Sequence, residues 1–384
     1  MTIGRTVVAM LTVAAMAAAH PPAATAQQER VASSARPAAQ DNRVADVQAR
    51  REELLRRREA LRQRQEDLRR ARQAARRGPM ATDTFARTVR IGRNGTFTLT
   101  SVAGTVTVSG SGGDDVRIEA TRRAWATTDA DAKAALAQVE IDVIEREGTV
   151  DVRTVRPRPR TSESEVDFTI SLPAGTNVSL RVATGDVTVS AINGELRAES
   201  VSGAIRASQV KQLRFLRTLG GDIQVDDAES TDVTVSTLGG AVAIRQLKAR
   251  VADVRTVSGD LMLAGSDSER VTAQSLTGRV ELTGRLARTG RYNLQSQSGD
   301  VRLMPNDDGF ELEAATVNGT VRCDFPLTLE ERRAPAGSIE RTERLGPRGG
   351  RLGGSARVLR GLSGDGGPLV TLRSFSGDIT IARR

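Results

Sequence analysis

The feature that most constrains this chain is a short glycine-centred motif that recurs ten times after residue 180. The copies are VATGDVTV (182–189), AINGELRA (191–198), SVSGAIRA (200–207), TLGGDIQV (218–225), TLGGAVAI (237–244), TVSGDLML (256–263), SLTGRVEL (275–282), SQSGDVRL (296–303), TVNGTVRC (316–323) and SFSGDITI (374–381). An outlying early copy is SVAGTVTV (101–108). The repeat glycines are Gly185, Gly194, Gly203, Gly221, Gly240, Gly259, Gly278, Gly299 and Gly319, with Gly377 in the last copy. From Gly185 to Gly319 their spacings are 9, 9, 18, 19, 19, 19, 21 and 20. A unit of nine or ten residues, two to a coil, fits this series if one unit of each later coil has lost its glycine.

Each unit has a physical grammar. The residues two and four after glycine are apolar, as in Val187 and Val189, Ile223 and Val225, Leu261 and Leu263, and Ile379 and Ile381. That period of two marks a strand with one buried face. Glycine supplies a turn conformation that a side chain would oppose, and the flanking Ser, Asn or Asp suits the same turn. Three residues before glycine, Ser or Thr recurs at 200, 218, 237, 256, 275, 296, 316 and 374. Stacked one per coil, these predict a hydroxyl ladder between neighbouring strands. The glycine-free half-units keep the alternation in Val233 and Val235, Val271 and Ala273, and Tyr292 and Leu294. Val257 and Leu261 are both expected to face inward.

A strand every nine or ten residues predicts an all-β fold, a single-stranded β-solenoid (β-helix) with coils of about 19 residues. Each coil then buries its inward aliphatics only against the coils above and below. At about 1.5–3 kcal/mol per fully buried aliphatic side chain, such a stack is stable without a large aromatic core. Aromatics make up only 2% of this chain, which agrees. A β-sandwich with regularly spaced strands is the competing architecture.

The G-[DA]-[IVL]-x-[VIL] repeats, preceded by the strand-rich stretch FTISLPAGTNVSL (168–180), resemble a bacterial exported β-repeat domain of unknown function labelled "putative adhesin". The resemblance covers about residues 85–384. It implies fold and export, and it supplies no catalytic residues.

The regions before the repeats divide by texture. Residues 1–26 have Arg5, an apolar run from Thr6 to Ala19 and Ala24-Thr25-Ala26, the three parts of a secretory signal peptide. The run is shorter than the roughly 20 residues needed to span a bilayer. Residues 27–42 read as a flexible linker. Residues 43–77 are rich in helix formers and stop at Gly78-Pro79. Val47, Leu54, Leu61, Leu68 and Ala75 recur every seven residues, while the companion column is mostly Arg and Gln. This predicts a charged helical arm, capable at most of a weak coiled coil. The net charge is +6 over residues 41–77 and +1 over residues 78–384, so the basic character belongs to the arm. A solvated spacer and an anion-binding arm both fit. Residues 85–180 are expected to cap the first coil, residues 181–384 to form the solenoid, and residues 324–368 to be a loop whose chain returns to complete the final coil.

Chemistry is sparse. The one histidine, His20, lies in the leader, so the mature chain lacks imidazole for nucleophile activation, zinc motifs or proton relay. A single cysteine, Cys323, excludes an intrachain disulfide and reads as a small core hydrophobe. Asp follows the repeat glycine at 186, 222, 260, 300 and 378, but Ala204, Ala241, Arg279 and Thr320 interrupt the column. Turn formation therefore explains it better than a calcium ladder. The acid pairs Asp114–Asp115, Asp226–Asp227 and Asp307–Asp308 would point to opposite strand faces, unlike a glycosidase pair. Trp125 and Tyr292 are too few to line a sugar-binding groove. No catalytic, cofactor or metal residues are expected.

The expected function is that of an exported, non-catalytic envelope or surface binding or structural module, in the periplasm, at the outer membrane or outside the cell. Candidate partners are an envelope polysaccharide, an anionic envelope polymer, another surface protein or a second copy through residues 43–77; nucleic acid is not expected. A polysaccharide-active enzyme on a β-helix and an adaptor acting through the basic helix are the competing readings.

Overall fold

The computed structural model describes residues 78–155, 163–306, 309–328 and 357–383, with Glu53, Ala60 and Gln63. Those three are helical. The leader, the linker and the rest of the expected arm lie outside the described residues. The chain divides into two units, Met1–Ala71 and Arg72–Arg384, and the repeats belong to the second.

Among its described residues the second unit is nearly all β, with one short helix, Asp129–Ala137, whose first turn is capped by the Thr128 hydroxyl accepting from the Asp131 N–H at 3.1 Å. Its strands form two parallel stacks. One, the inbound stack, leads into the repeat glycines; the other, the outbound stack, leads away from them.

Alternation dictates the pairing. Inward residues two after glycine are register partners in a continuous series: Val187 with Ile205, Ile205 with Ile223, Ile223 with Val242, Val242 with Leu261, and Leu261 with Val280. All are at most 1% exposed, so the interior is a column of aliphatic layers. In the four long strands Val187–Ser202, Ile205–Gly220, Ile223–Gly239 and Val242–Ser258, one chain passes from the outbound to the inbound stack without a break. It turns at Ala191, Gln209, Asp227 and Gln246, all with φ of 54–58°. Gly265, at φ 66°, holds the same position in the next coil.

The stack begins before residue 181. Thr96–Ala103 pairs in parallel with both Thr149–Val155 and Asn177–Thr184, and Val106–Ser111 pairs in parallel with both Glu163–Pro173 and Val187–Ser202. The coil holding the early copy thus lies between two coils that follow it in sequence. The other end mirrors this. Leu369–Ser376 pairs with Arg291–Ser298 on one side and Phe310–Asn318 on the other, and Ile379–Ile381 lies between Val301–Pro305 and Val321–Cys323. The last repeat copy therefore fills a gap and does not complete the final coil. The physical gain is that the chain's last strand has a neighbour on each side, so it cannot fray from an edge.

Antiparallel strands close the ends. Glu140–Arg146 pairs with Thr149–Val155, and Asp115–Trp125 joins Met80–Arg90 to Glu163–Pro173. At the far end Arg357–Ser363 covers Phe310–Asn318. Phe325 packs edge-on against Phe310 with centroids 5.2 Å apart, and the Arg383 guanidinium lies over its ring.

Two facing expectations need correction. Leu261 is buried, but Val257 is 41% exposed. Thr256 points inward, so its neighbour must point out, and the glycine turn resets the phase before Leu261. The Ser/Thr column is buried, yet from Thr218 onward its hydroxyls bond to backbone and not to one another. Thr218, Thr237, Thr256, Ser275 and Ser296 each donate to the carbonyl of the repeat glycine one coil back, at 2.8–3.3 Å.

Candidate functional site

Most residues singled out by the motif gather at one corner of the solenoid, where inbound strands turn into outbound ones. The repeat glycines stack there in the spatial order Gly185, Gly203, Gly221, Gly240, Gly259, Gly278, Gly299, Gly377, Gly319. A Cβ on any of the last eight would fall under 3.0 Å from the carbonyl of the preceding glycine. Gly259 adds a φ of +149°. Stacking of bare backbone thus demands glycine. Gly194 stands apart: it lies inside a long strand against the Thr176 carbonyl.

The Asp column serves the same corner. The Oδ1 atoms of Asp186, Asp222, Asp260 and Asp378 accept the backbone N–H of Ala204, Ala241, Arg279 and Thr320 in the adjacent coil, at 2.7–2.9 Å. Each carboxylate caps a turn, and the interruptions in the column are the residues being capped. Among the described residues no three His, Cys, Asp or Glu side chains converge as a metal site.

The remaining candidates are dispersed. Asp114 pairs with Arg93 at 3.2 Å, Asp226 pairs with Arg245 at 3.3 Å, and Asp227 occupies a left-handed turn position. Asp307 and Asp308 lie outside the described residues. The Cys323 thiol is partly buried, which pushes its pKa up, and it donates to the Phe325 carbonyl at 3.7 Å. A thiol held protonated is a poor nucleophile. Tyr292 is fully buried, its hydroxyl donating to the Ser268 carbonyl and accepting from the Ala287 N–H.

The second corner, just past the left-handed residues, is different. A cleft of about 410 Å³ is lined by Lys211, Gln212, Arg214, Glu229, Ser230, Thr231 and Lys248. A neighbouring one of about 300 Å³ is lined by Arg250, Val251, Glu269, Arg270, Thr289 and Arg291. The two clefts together carry six cations and two carboxylates. Lys248 is offset by Glu229 at 3.5 Å, and Arg250 by Asp232 at 2.6 Å. Lys211, Arg270 and Arg291 are exposed and have no ion-pair partner among the described residues. Arg270 and Arg291 are moreover direct register partners on adjacent strands. Like charges placed opposite one another on neighbouring strands repel, and an anion between them would relieve the repulsion.

The motif could not reveal these residues because they occupy glycine-free half-units. Only alignment by coil register, Val251 with Arg270 and Arg270 with Arg291, brings the two arginines into one column.

The chain is similar to a "putative adhesin" from Bacteroides fragilis NCTC 9343, at 12% identity over 78% of this chain and 97% of that one, with a TM-score of 0.36. A "putative cell adhesion protein" from Clostridium sporogenes ATCC 15579 matches at 12% identity over 79% of this chain and all of that one, with a TM-score of 0.23. A "putative lipid binding protein" from Parabacteroides distasonis ATCC 8503 matches at 10% identity over 58% and 91%, with a TM-score of 0.34. No curated protein matches the sequence. The family model described as Toastrack DUF4097 matches residues 96–346, and the chain belongs to that family.

Proposed function

We propose that this chain is an exported, non-catalytic β-solenoid that acts at the cell envelope as a binding or structural module, and that its second corner holds an anionic envelope polymer. The apolar leader with its A-x-A site supports export. The unpaired, register-matched Arg270 and Arg291, with unpaired Lys211 three coils earlier in the other cleft, carry the binding half of the reading. The two clefts open on successive coils along one corner, which suits an extended polyanion better than a compact ligand. Of the acidic candidates among the described residues, Asp114 and Asp226 are held in ion pairs and Asp227 in a turn. The basic segment 43–77 is a second attachment route, favoured by its net charge of +6 over residues 41–77.

The test is binding of the mature chain to polygalacturonate, a carboxylated polysaccharide, with dextran as the neutral control. Binding to polygalacturonate should weaken steeply between about 50 and 200 mM salt. The variant Lys211→Glu/Arg270→Glu/Arg291→Glu should bind at least about tenfold more weakly and melt at the same temperature. Equal affinity for dextran, or unchanged binding by the variant, would refute the corner. If loss appears only on removing residues 43–77, binding belongs to the basic segment. Release of shortened sugar products would overturn the non-catalytic reading.

A further inference from the structure

Seven of the eleven exposed large hydrophobic side chains among the described residues occupy one repeat position, two before the glycine. In spatial order they are Val201, Leu219, Leu238, Val257 and Leu276, then Phe375 and Val317, each 41–55% exposed. Gln297 stands between Leu276 and Phe375 in the same column, as the register of Ser275, Ser296 and Ser374 requires. With strands about 4.8 Å apart, these eight rungs form a ridge about 34 Å long beside the glycine corner. The residues two positions earlier are polar on seven of the eight rungs, Glu199, Arg217, Ser236, Arg255, Gln274, Gln295 and Arg373, with Ala315 the exception, so the ridge is no accident of composition. An exposed apolar strip of this length, broken once by Gln297, marks an interaction surface.

The charges on three of these rungs identify the occupant. On the Leu219 rung the ridge residue lies between Arg217 and Asp222 in the chain, on the Val257 rung between Arg255 and Asp260, and on the Phe375 rung between Arg373 and Asp378. On these three of the eight rungs a basic residue precedes the ridge and an acidic one follows it; on the others at most one side is charged, as with Glu199 before Val201 and Arg279 after Leu276. Rotation about an axis parallel to the solenoid exchanges the two sides, so each Arg meets an Asp on its own rung. In an antiparallel face-to-face arrangement Arg217 would face Arg373 and Asp222 would face Asp378, which costs affinity. The parallel arrangement also sets Gln297 against Gln297, whereas the antiparallel one sets it against Leu238. A single polar residue in an apolar seam fixes register in just this way. A second solenoid also matches the rung spacing along the whole ridge. The Asp column disfavours an anionic lipid surface.

We propose that the ridge is a two-fold interface between parallel, in-register copies of this chain. The strip is narrow compared with a standard interface of roughly 800 Å² per partner, so the dimer should be weak, with a Kd in the micromolar range. Both cation-lined clefts stay open in it.

Sedimentation velocity on the full mature chain, from about 1 to 200 μM, tests the proposal together with crosslinking. The expected result is a concentration-dependent dimer, weakened at least about tenfold by Leu219→Glu/Leu238→Glu/Val257→Glu, with circular dichroism and melting unchanged. In a Cys323→Ser background, Leu238→Cys should form a disulfide with itself under mild oxidation. A mixture of Leu238→Cys and Gln297→Cys chains should yield few crossed products. A monomer at 200 μM, a dimer indifferent to the triple substitution, or predominantly crossed products would each overturn the proposal. Ridge-dependent binding of a monomeric chain to phosphatidylcholine vesicles would replace the second copy with a lipid surface.

Discussion

The two corners of each coil solve the same problem by opposite means. At the glycine corner the backbone of one turn sits directly on the backbone of the next, so no Cβ fits and every coil must look alike. Six residues further along the same coil, at the second corner, the chain also needs a positive φ, but the space is open. A Cβ on Gly265 would come no nearer than 3.7 Å to any neighbour, and Ala, Gln and Asp occupy the equivalent places in earlier coils. Close backbone stacking thus makes one corner uniform. The other is free to vary, and there the unpaired cations and clefts accumulate. Structural constraint and chemical opportunity have been separated onto two edges of one repeat.

The sharpest way to break this picture is to introduce a charge on either side of the glycine turn. Leu261→Asp puts an unpaired carboxylate into a dry aliphatic layer and should cost on the order of 4 kcal/mol or more in urea denaturation, or abolish folding. Val257→Asp, four residues earlier, lands on the exposed ridge and should change stability by no more than about 0.5 kcal/mol. Comparable losses from both would mean that the ridge is buried. A smaller effect is expected at Thr256→Val, which keeps the volume but removes the donor to the Gly240 carbonyl. About 1 kcal/mol should be lost, and no change would show that the hydroxyl column contributes nothing.

Much of this molecule is legible without its structure. The inward positions of Val187, Ile223, Leu261 and Ile379 follow from period-two alternation, which is local and survives in any β-solenoid. The turn role of Asp186, Asp222 and Asp260 follows from their interrupted column. Three features are not legible. The coils at both ends are laid out of sequence order, a matter of which edge a distant strand finds, and no local pattern encodes it. The outward direction of Val257 is hidden because apolar residues stand on both sides of the glycine, and only the buried Thr256 fixes the phase. Lys211, Arg270 and Arg291 carry no motif, and Arg270 and Arg291 become neighbours only through the register. Sequence therefore reveals the corner that repeats, and conceals the corner that varies.

The most direct test of this division compares two glycines in one coil, Gly259→Ala and Gly265→Gln, by equilibrium urea denaturation. Gly259→Ala drives a methyl into the Gly240 carbonyl and should cost at least about 3 kcal/mol. Gly265→Gln reproduces the residue that the preceding coil carries at φ 54° and should cost about 1 kcal/mol or less. Equal losses at the two positions, or a larger one at Gly265, would contradict the account.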